Sequence, residues 1–232
     1  MTLSRRYLEA GQMRELYVSA VDPERALTDE QLSASLTKTL AVRPKGAGWW
    51  VFGYGSLLWN PLFPIAEARA AMVHGLHRSF CLRSLASRGT PDQPGLVLGL
   101  EPGGVCRGVV YRLPSPLALD ELALLWRREM VVGSYRPRWV QVRSVERRLT
   151  ALTFVVRRDH VQYARIARDE QAAIIAEACG AFGSSSDYLM RTRAALAAHG
   201  IVDRYLENLA RDVEARQRSH QPSIDTPITA VG

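Results

Sequence analysis

The spacing of apolar residues changes about two-thirds of the way along the chain. Up to about residue 157 they fall in short runs or alternations bounded by glycine, proline and small polar residues, which predicts β-strands. Trp49 to Tyr54 is a compact run of aromatic and β-branched residues, a candidate buried strand. Val73 to Leu82 is a strand of mixed polarity; Leu96 to Glu101 alternates, and Val105 to Leu113 follows a Pro102-Gly103-Gly104 turn, so these last two read as the arms of a hairpin. Tyr135 to Val142 alternates again, and Ala151 to Val156 is almost continuously apolar, as a strand covered on both faces should be. Within this region only Leu119 to Glu129 has a helical period, with Leu122, Leu125, Trp126 and Glu129 on one stripe. From Ala164 the helical period takes over. Ala164 to Cys179 is closed by Gly180; Asp187 to Ala198 is opened by Ser184-Ser185-Ser186 and followed by Gly200; Ile201 to Ala215 carries Val202, Tyr205, Leu206, Leu209 and Val213 on one face. Strands gathered early and helices gathered late predict an α+β domain.

Three segments follow from these boundaries. Residues 1–47 form an N-terminal extension with helical periodicity from Leu27 to Leu40, broken by the loop Arg43 to Gly48; residues 48–215 are the main domain; residues 216–232 are a polar tail containing Pro222 and Pro227. With 47% hydrophobic and 23% charged residues the 232-residue chain has globular composition, which excludes a wholly disordered protein. No apolar stretch approaches the length of a membrane span and the N-terminus has no signal-peptide core, so a cytoplasmic protein without a membrane partner is expected. Cys81, Cys106 and Cys179 are odd in number and far apart, and are read as buried, reduced thiols. The net charge of +7 raises the question of nucleic acid, but Lys38 and Lys45 are the only lysines and the arginines are spread from Arg5 to Arg218. Such diffuse charge reads as solvated surface, with no nucleic-acid partner.

Two features carry candidate chemistry. In Val51-Phe52-Gly53-Tyr54-Gly55-Ser56-Leu57-Leu58-Trp59-Asn60-Pro61, glycines flank a tyrosine at the end of a predicted strand, where backbone N–H groups can converge on an anion. The alternative is a plain tight turn. A dinucleotide fingerprint lacks its third glycine and following helix, a phosphate loop lacks Gly-Lys-Ser/Thr, and a nucleophile elbow lacks glycine at position 58. Ser56 is therefore a poor nucleophile. Glu129 is aimed at the apolar side of its helix, where desolvation would raise its pKa toward that of a general acid and base; a helix-end pairing with Arg127, Arg128 or Arg136 is the alternative. The histidines form no ligand cluster, and no metal is expected.

The segment Trp50 to Pro61 resembles the opening motif of the ChaC family of γ-glutamylcyclotransferases. Cys106-Arg107-Gly108-Val109-Val110-Tyr111-Arg112-Leu113, then Arg128-Glu129 with Gly133-Ser134-Tyr135, then Asp187-Tyr188-Leu189 are similar to further family motifs in the same order. The resemblance implies a γ-glutamylcyclotransferase-like fold, a small mixed β-barrel flanked by helices. It also implies catalysis by Glu129 and binding of a γ-glutamyl group by Tyr54, Gly55, Ser56 and Leu57, with Tyr188 near the substrate. The implied reaction converts glutathione to 5-oxoproline and Cys-Gly through attack of the substrate's own α-amine, without a cofactor, in a monomer. One departure is Met130-Val131-Val132 before Gly133, where many eukaryotic members have a shorter spacer; it resembles the bacterial branch and bears on specificity. That branch also carries a label of cation-transport regulation, so a non-catalytic γ-glutamyl-binding or regulatory protein is the alternative function.

Overall fold

The computed structural model describes residues 3–21, 24 and 26–219. Three helices come first, α1 (Arg5–Glu9), α2 (Gln12–Ala20) and α3 (Asp29–Ala41). The five strands that follow are β1 (Trp50–Gly53), β2 (Glu67–Ser84), β3 (Gly95–Arg112), β4 (Tyr135–Ser144) and β5 (Arg148–Val156), with α4 (Ala118–Glu129) between β3 and β4. They close into a barrel in the order β1-β3-β2-β4-β5, sealed where β1 runs parallel to β5 at Val51 and Leu152. Closure leaves no open sheet edge. After the barrel come α5 (Arg168–Glu177), a ribbon of β6 (Cys179–Gly180) and β7 (Gly183–Ser184), α6 (Ser185–Ala198) and α7 (Arg204–Ser219).

The expected hairpin at Pro102-Gly103-Gly104 does not form. β3 runs through it as one 18-residue strand paired along its length with β2, and the register slips between His74 and Leu76. Gly75, Gly103 and Gly104 have φ of 77°, 103° and 69°, so the glycines absorb a bulge that bends the long ribbon around the barrel instead of reversing it. In α5 the helix is shorter than expected at both ends, because Ala178 is already extended and Cys179-Gly180 joins the ribbon. Gly180 is there for close approach rather than helix closure: a Cβ on it would lie 2.5 Å from the Gly89 nitrogen. Cys179 is exposed, unlike Cys81 and Cys106, because it sits on that outer ribbon. Val202 is also exposed and precedes α7, whose buried face is Leu206, Leu209, Ala210 and Val213. The tail begins as the last turn of α7, and positions 220–232 lie outside the described residues.

Around α6 the local signals act as read: Ser184 caps it by accepting from the Asp187 N–H, and Gly200, at φ 69°, follows its last turn. A capping box of Thr28 and Gln31, unread in the sequence, starts α3. One continuous core joins the barrel interior (Phe52, Phe80, Leu98, Phe154) to Trp126 of α4 and to the inner faces of α5, α6 and α7. The N-terminal helices add a satellite cluster in which Leu8 and Met13 pack on Val131.

Candidate active site

β1 ends at Gly53, and the chain turns at once into a single 3₁₀ turn, Ser56–Leu58, held by the Leu58 N–H to the Gly55 carbonyl at 2.9 Å. The N–H groups that open such a turn have no acceptor within it. They lie where the sequence placed a nest. The turn is fixed from behind: Arg78, buried inside the barrel and facing Asp203 at 3.0 Å, donates to the Tyr54 carbonyl at 2.7 Å. The Tyr54 hydroxyl crosses to the Phe154 carbonyl at 2.8 Å.

Glu129 is the last residue of α4, and its side chain is 14% exposed. Both readings of it hold together. It is turned into a cavity, and it is paired, with Arg128 Nε 3.0 Å from its Oε1. Arg128 is itself buried, donates from Nη2 to Ser56 Oγ at 2.9 Å and also bonds the Asn60 carbonyl, so it ties the end of α4 to the 3₁₀ turn. Burial pushes the Glu129 carboxyl above the ordinary carboxylate range, and the Arg128 charge offsets part of that rise.

Tyr54, Gly55, Ser56, Leu57, Glu129 and Tyr188, the six residues singled out from the sequence, line one small recess. Tyr188 reaches it from α6, its ring set edge-on to Phe80 and to Trp59. A Cβ at Gly55 would lie 2.7 Å from the Tyr188 hydroxyl oxygen, so the glycine is what lets phenol and turn meet. Tyr135 completes the recess, its hydroxyl donating to the Leu98 carbonyl at 2.8 Å. Burial pushes the Tyr188 phenol up to about 12 and those of Tyr54 and Tyr135 well above their usual value, so all three stay protonated at neutral pH.

The recess adjoins a larger cavity of about 280 Å³, with which it shares Ser56, Glu129, Tyr135 and Tyr188. Among the described residues four arginines line that cavity (Arg83, Arg88, Arg128 and Arg191), with Glu129 as the one acid. Arg88 is buried, held by Asp187 at 3.1 Å, and stacked over Trp59 and Tyr188 at 5.4 and 5.6 Å from the ring centroids. This corrects the reading of the arginines as solvated surface, since Arg78, Arg88 and Arg128 are buried. The space can take an anionic molecule while keeping a desolvated carboxylate beside the backbone that opens the 3₁₀ turn.

The sequence model of the ChaC-like protein family matches residues 49–216. The chain belongs to that family. It is 40% identical over 197 residues to the Escherichia coli glutathione-specific gamma-glutamylcyclotransferase, covering 84% of this chain and 85% of the relative. It is 32% identical over 148 residues to the human glutathione-specific gamma-glutamylcyclotransferase 1, covering 61% and 67%. Among solved structures, the yeast gamma-glutamyl cyclotransferase specific to glutathione superposes with a TM-score of 0.70 at 26% identity, covering 76% of this chain and all of the other. The expected barrel with a helical C-terminal third is thus the architecture of this ChaC-like chain. Sequence reasoning passed over Tyr135 and Arg128 as site residues although both fall inside quoted motifs, and it passed over Arg88 because nothing local marks it. Tyr17, which also lines the cavity, carried no signal at all.

Proposed function

We propose that this chain is a γ-glutamylcyclotransferase that cleaves glutathione to 5-oxoproline and Cys-Gly, with Glu129 as the general base and acid. The observation that carries this reading is the meeting of Glu129 and the Gly55-Ser56-Leu57 turn in one recess, at the inner end of a cavity where four arginines face a single acid. Glutathione brings two carboxylates, which such a lining suits, and the family and its relatives support the choice of substrate.

The γ-glutamyl group binds where the recess opens into the larger cavity, beside Glu129 and the turn, with its chain folded so that the α-amine lies against the γ-carbonyl. Glu129 takes a proton from the α-ammonium, and the amine nitrogen attacks the carbonyl carbon to close a five-membered ring. The N–H groups of the turn stabilise the negative charge that develops on the carbonyl oxygen or hold the α-carboxylate. Glu129 then returns its proton to the amide nitrogen, the carbon–nitrogen bond breaks, and the second proton of the ring nitrogen passes to the departing amine, so that 5-oxoproline leaves as the neutral lactam and Cys-Gly as its ammonium form. Because nucleophile and electrophile belong to one molecule, fixing a single conformer supplies effective molarities of about 10⁵ M or more. The raised pKa of Glu129 suits both transfers. Its linkage to stability runs the other way: a carboxyl whose folded pKa is raised stabilises the fold below its unfolded pKa, and that contribution is lost as pH rises through the folded value. The ionised form that starts the reaction is the less stable one.

Mass spectrometry of the products tests the reading. Purified protein with glutathione should yield 5-oxoproline and Cys-Gly, and N-acetylated glutathione should yield neither. Free glutamate in place of 5-oxoproline would mean that water attacks. Binding of glutathione without turnover would leave a non-catalytic γ-glutamyl-binding module.

A further inference from the structure

The family match begins at residue 49, yet the cavity is not closed by the residues that follow. Leu3, Met13 and Tyr17, from the segment before the barrel, line it together with Glu129 and Ser56. This segment is fastened to the site at several points. The Asn60 side chain donates to the Leu3 carbonyl at 3.1 Å, and Arg5 pairs with the buried Glu121 at 2.6 Å. The Leu27 N–H bonds the Val131 carbonyl at 2.8 Å, and Met13 packs on Val131 in one apolar cluster that also takes in Tyr17, Val132 and Phe182. Val131 and Val132, in the spacer after Glu129, are therefore part of the surface that the N-terminal helices cover.

None of Leu3, Met13 and Tyr17 touches the inner recess. The recess, at about 20 Å³, has room for little more than one polar group, so a γ-carbonyl held there beside Glu129 leaves the departing amine in the larger cavity, which these residues face. Tyr17 lines the same cavity as Ser87 and Glu129, and burial there raises its phenol, with the Glu129 charge adding to the rise and Ser87 opposing it. At about 280 Å³ the cavity is at the lower end of the range for small-molecule sites, so a wall of this kind leaves little room for a larger leaving group.

We propose that α1 and α2 form the leaving-group wall of the active site and that Tyr17 is a specificity-determining residue, limiting the size of substituent that the cysteinyl sulfur of the substrate can carry. This rests on the γ-glutamylcyclotransferase reading above. The test compares 5-oxoproline release from glutathione and from S-hexylglutathione by the full chain, its Tyr17→Ala and Tyr17→Leu variants, and Tyr17→Phe. Tyr17→Leu keeps an apolar body in the Met13 and Val131 cluster, so that the fold is retained even where alanine loosens it. Shortening the side chain should raise the ratio of kcat/KM for S-hexylglutathione to that for glutathione by about tenfold or more. Tyr17→Phe, with the same ring, should leave the ratio at the wild-type value. A folded Tyr17→Leu protein with an unchanged ratio overturns the proposal, as does a ratio raised by Tyr17→Phe alone. Wild-type protein that releases no 5-oxoproline from either substrate overturns the parent reading instead, a result distinct from an unchanged ratio.

Discussion

Replacing Gly55 by alanine adds one carbon at the point where turn, phenol and substrate recess meet. The new Cβ would lie 2.7 Å from the Tyr188 hydroxyl oxygen, while the next atoms, Leu98 Cβ and Cδ1, stand at ordinary contact distances of 3.7 and 3.9 Å. Relief of about 0.7 Å is needed to reach a normal separation near 3.4 Å, and it must come from Tyr188 or the turn. Tyr188 is 6% exposed, with ring centroids of Phe80 and Trp59 both 5.9 Å away, so the ring is braced on two sides and yields only toward the substrate cavity, which distorts the site. Overpacking of this kind costs about 1–3 kcal/mol, and for a chain of this size that lowers Tm by about 2–12 °C. Displacing the turn also moves its N–H groups from the reacting carbonyl, which should lower kcat/KM by about 10²-fold. Tyr188→Phe removes the oxygen that the new carbon strikes. In a double-mutant cycle read by thermal unfolding, Gly55→Ala should therefore cost less in the Tyr188→Phe background, by about 1 kcal/mol or more. Strictly additive effects, or a Gly55→Ala protein as stable and active as wild type, would refute the argument that the glycine is required by the phenol.

Glu129→Gln keeps the size of the side chain and an acceptor for Arg128 but removes the proton carrier; 5-oxoproline release should fall by about 10²–10⁴ while the circular dichroism spectrum stays that of the folded protein. Arg128 holds the Glu129 pKa below what burial alone would give, so Arg128→Gln should move the acid limb of the kcat/KM profile to higher pH, and a limb that moved down would reverse the assigned electrostatics. Tyr54→Phe leaves the Phe154 carbonyl without its donor inside the barrel and should destabilise the protein by about 1–3 kcal/mol in urea unfolding, with Glu129 and the turn still in place.

The parts of this protein that could be read from its sequence are those governed by short-range rules. Ser184 and Gly200 bracket α6 because capping is decided within a few residues, and Glu129 faces inward because the stripe Leu122, Leu125, Trp126 fixes the orientation of α4. Pro102-Gly103-Gly104 failed as a turn signal for a related reason. Its glycines do adopt positive φ, but whether a bulge or a reversal results depends on the partner strand, and β2 pairs with β3 on both sides of the bulge. No local rule contains that information.

The arginines show how far the same limit extends into the site. Along the chain, Arg83, Arg88, Arg128 and Arg191 span 108 positions and look like four members of a scattered surface population. The fold gathers them around one cavity, because β2, the loop after it, the end of α4 and the face of α6 converge there. Two of the four are buried, and each is held by a partner distant in sequence: Arg88 by Asp187 and Arg128 by the Ser56 hydroxyl. A charge density that is dilute in one dimension thus becomes concentrated in three, and it does so around the Glu129 carboxylate, whose burial-raised pKa is tempered by Arg128. The same reasoning applies to Tyr17, whose role depends on a helix docking against a spacer more than a hundred residues later, and for such residues the closed barrel and its packed helices are the first place where function can be seen.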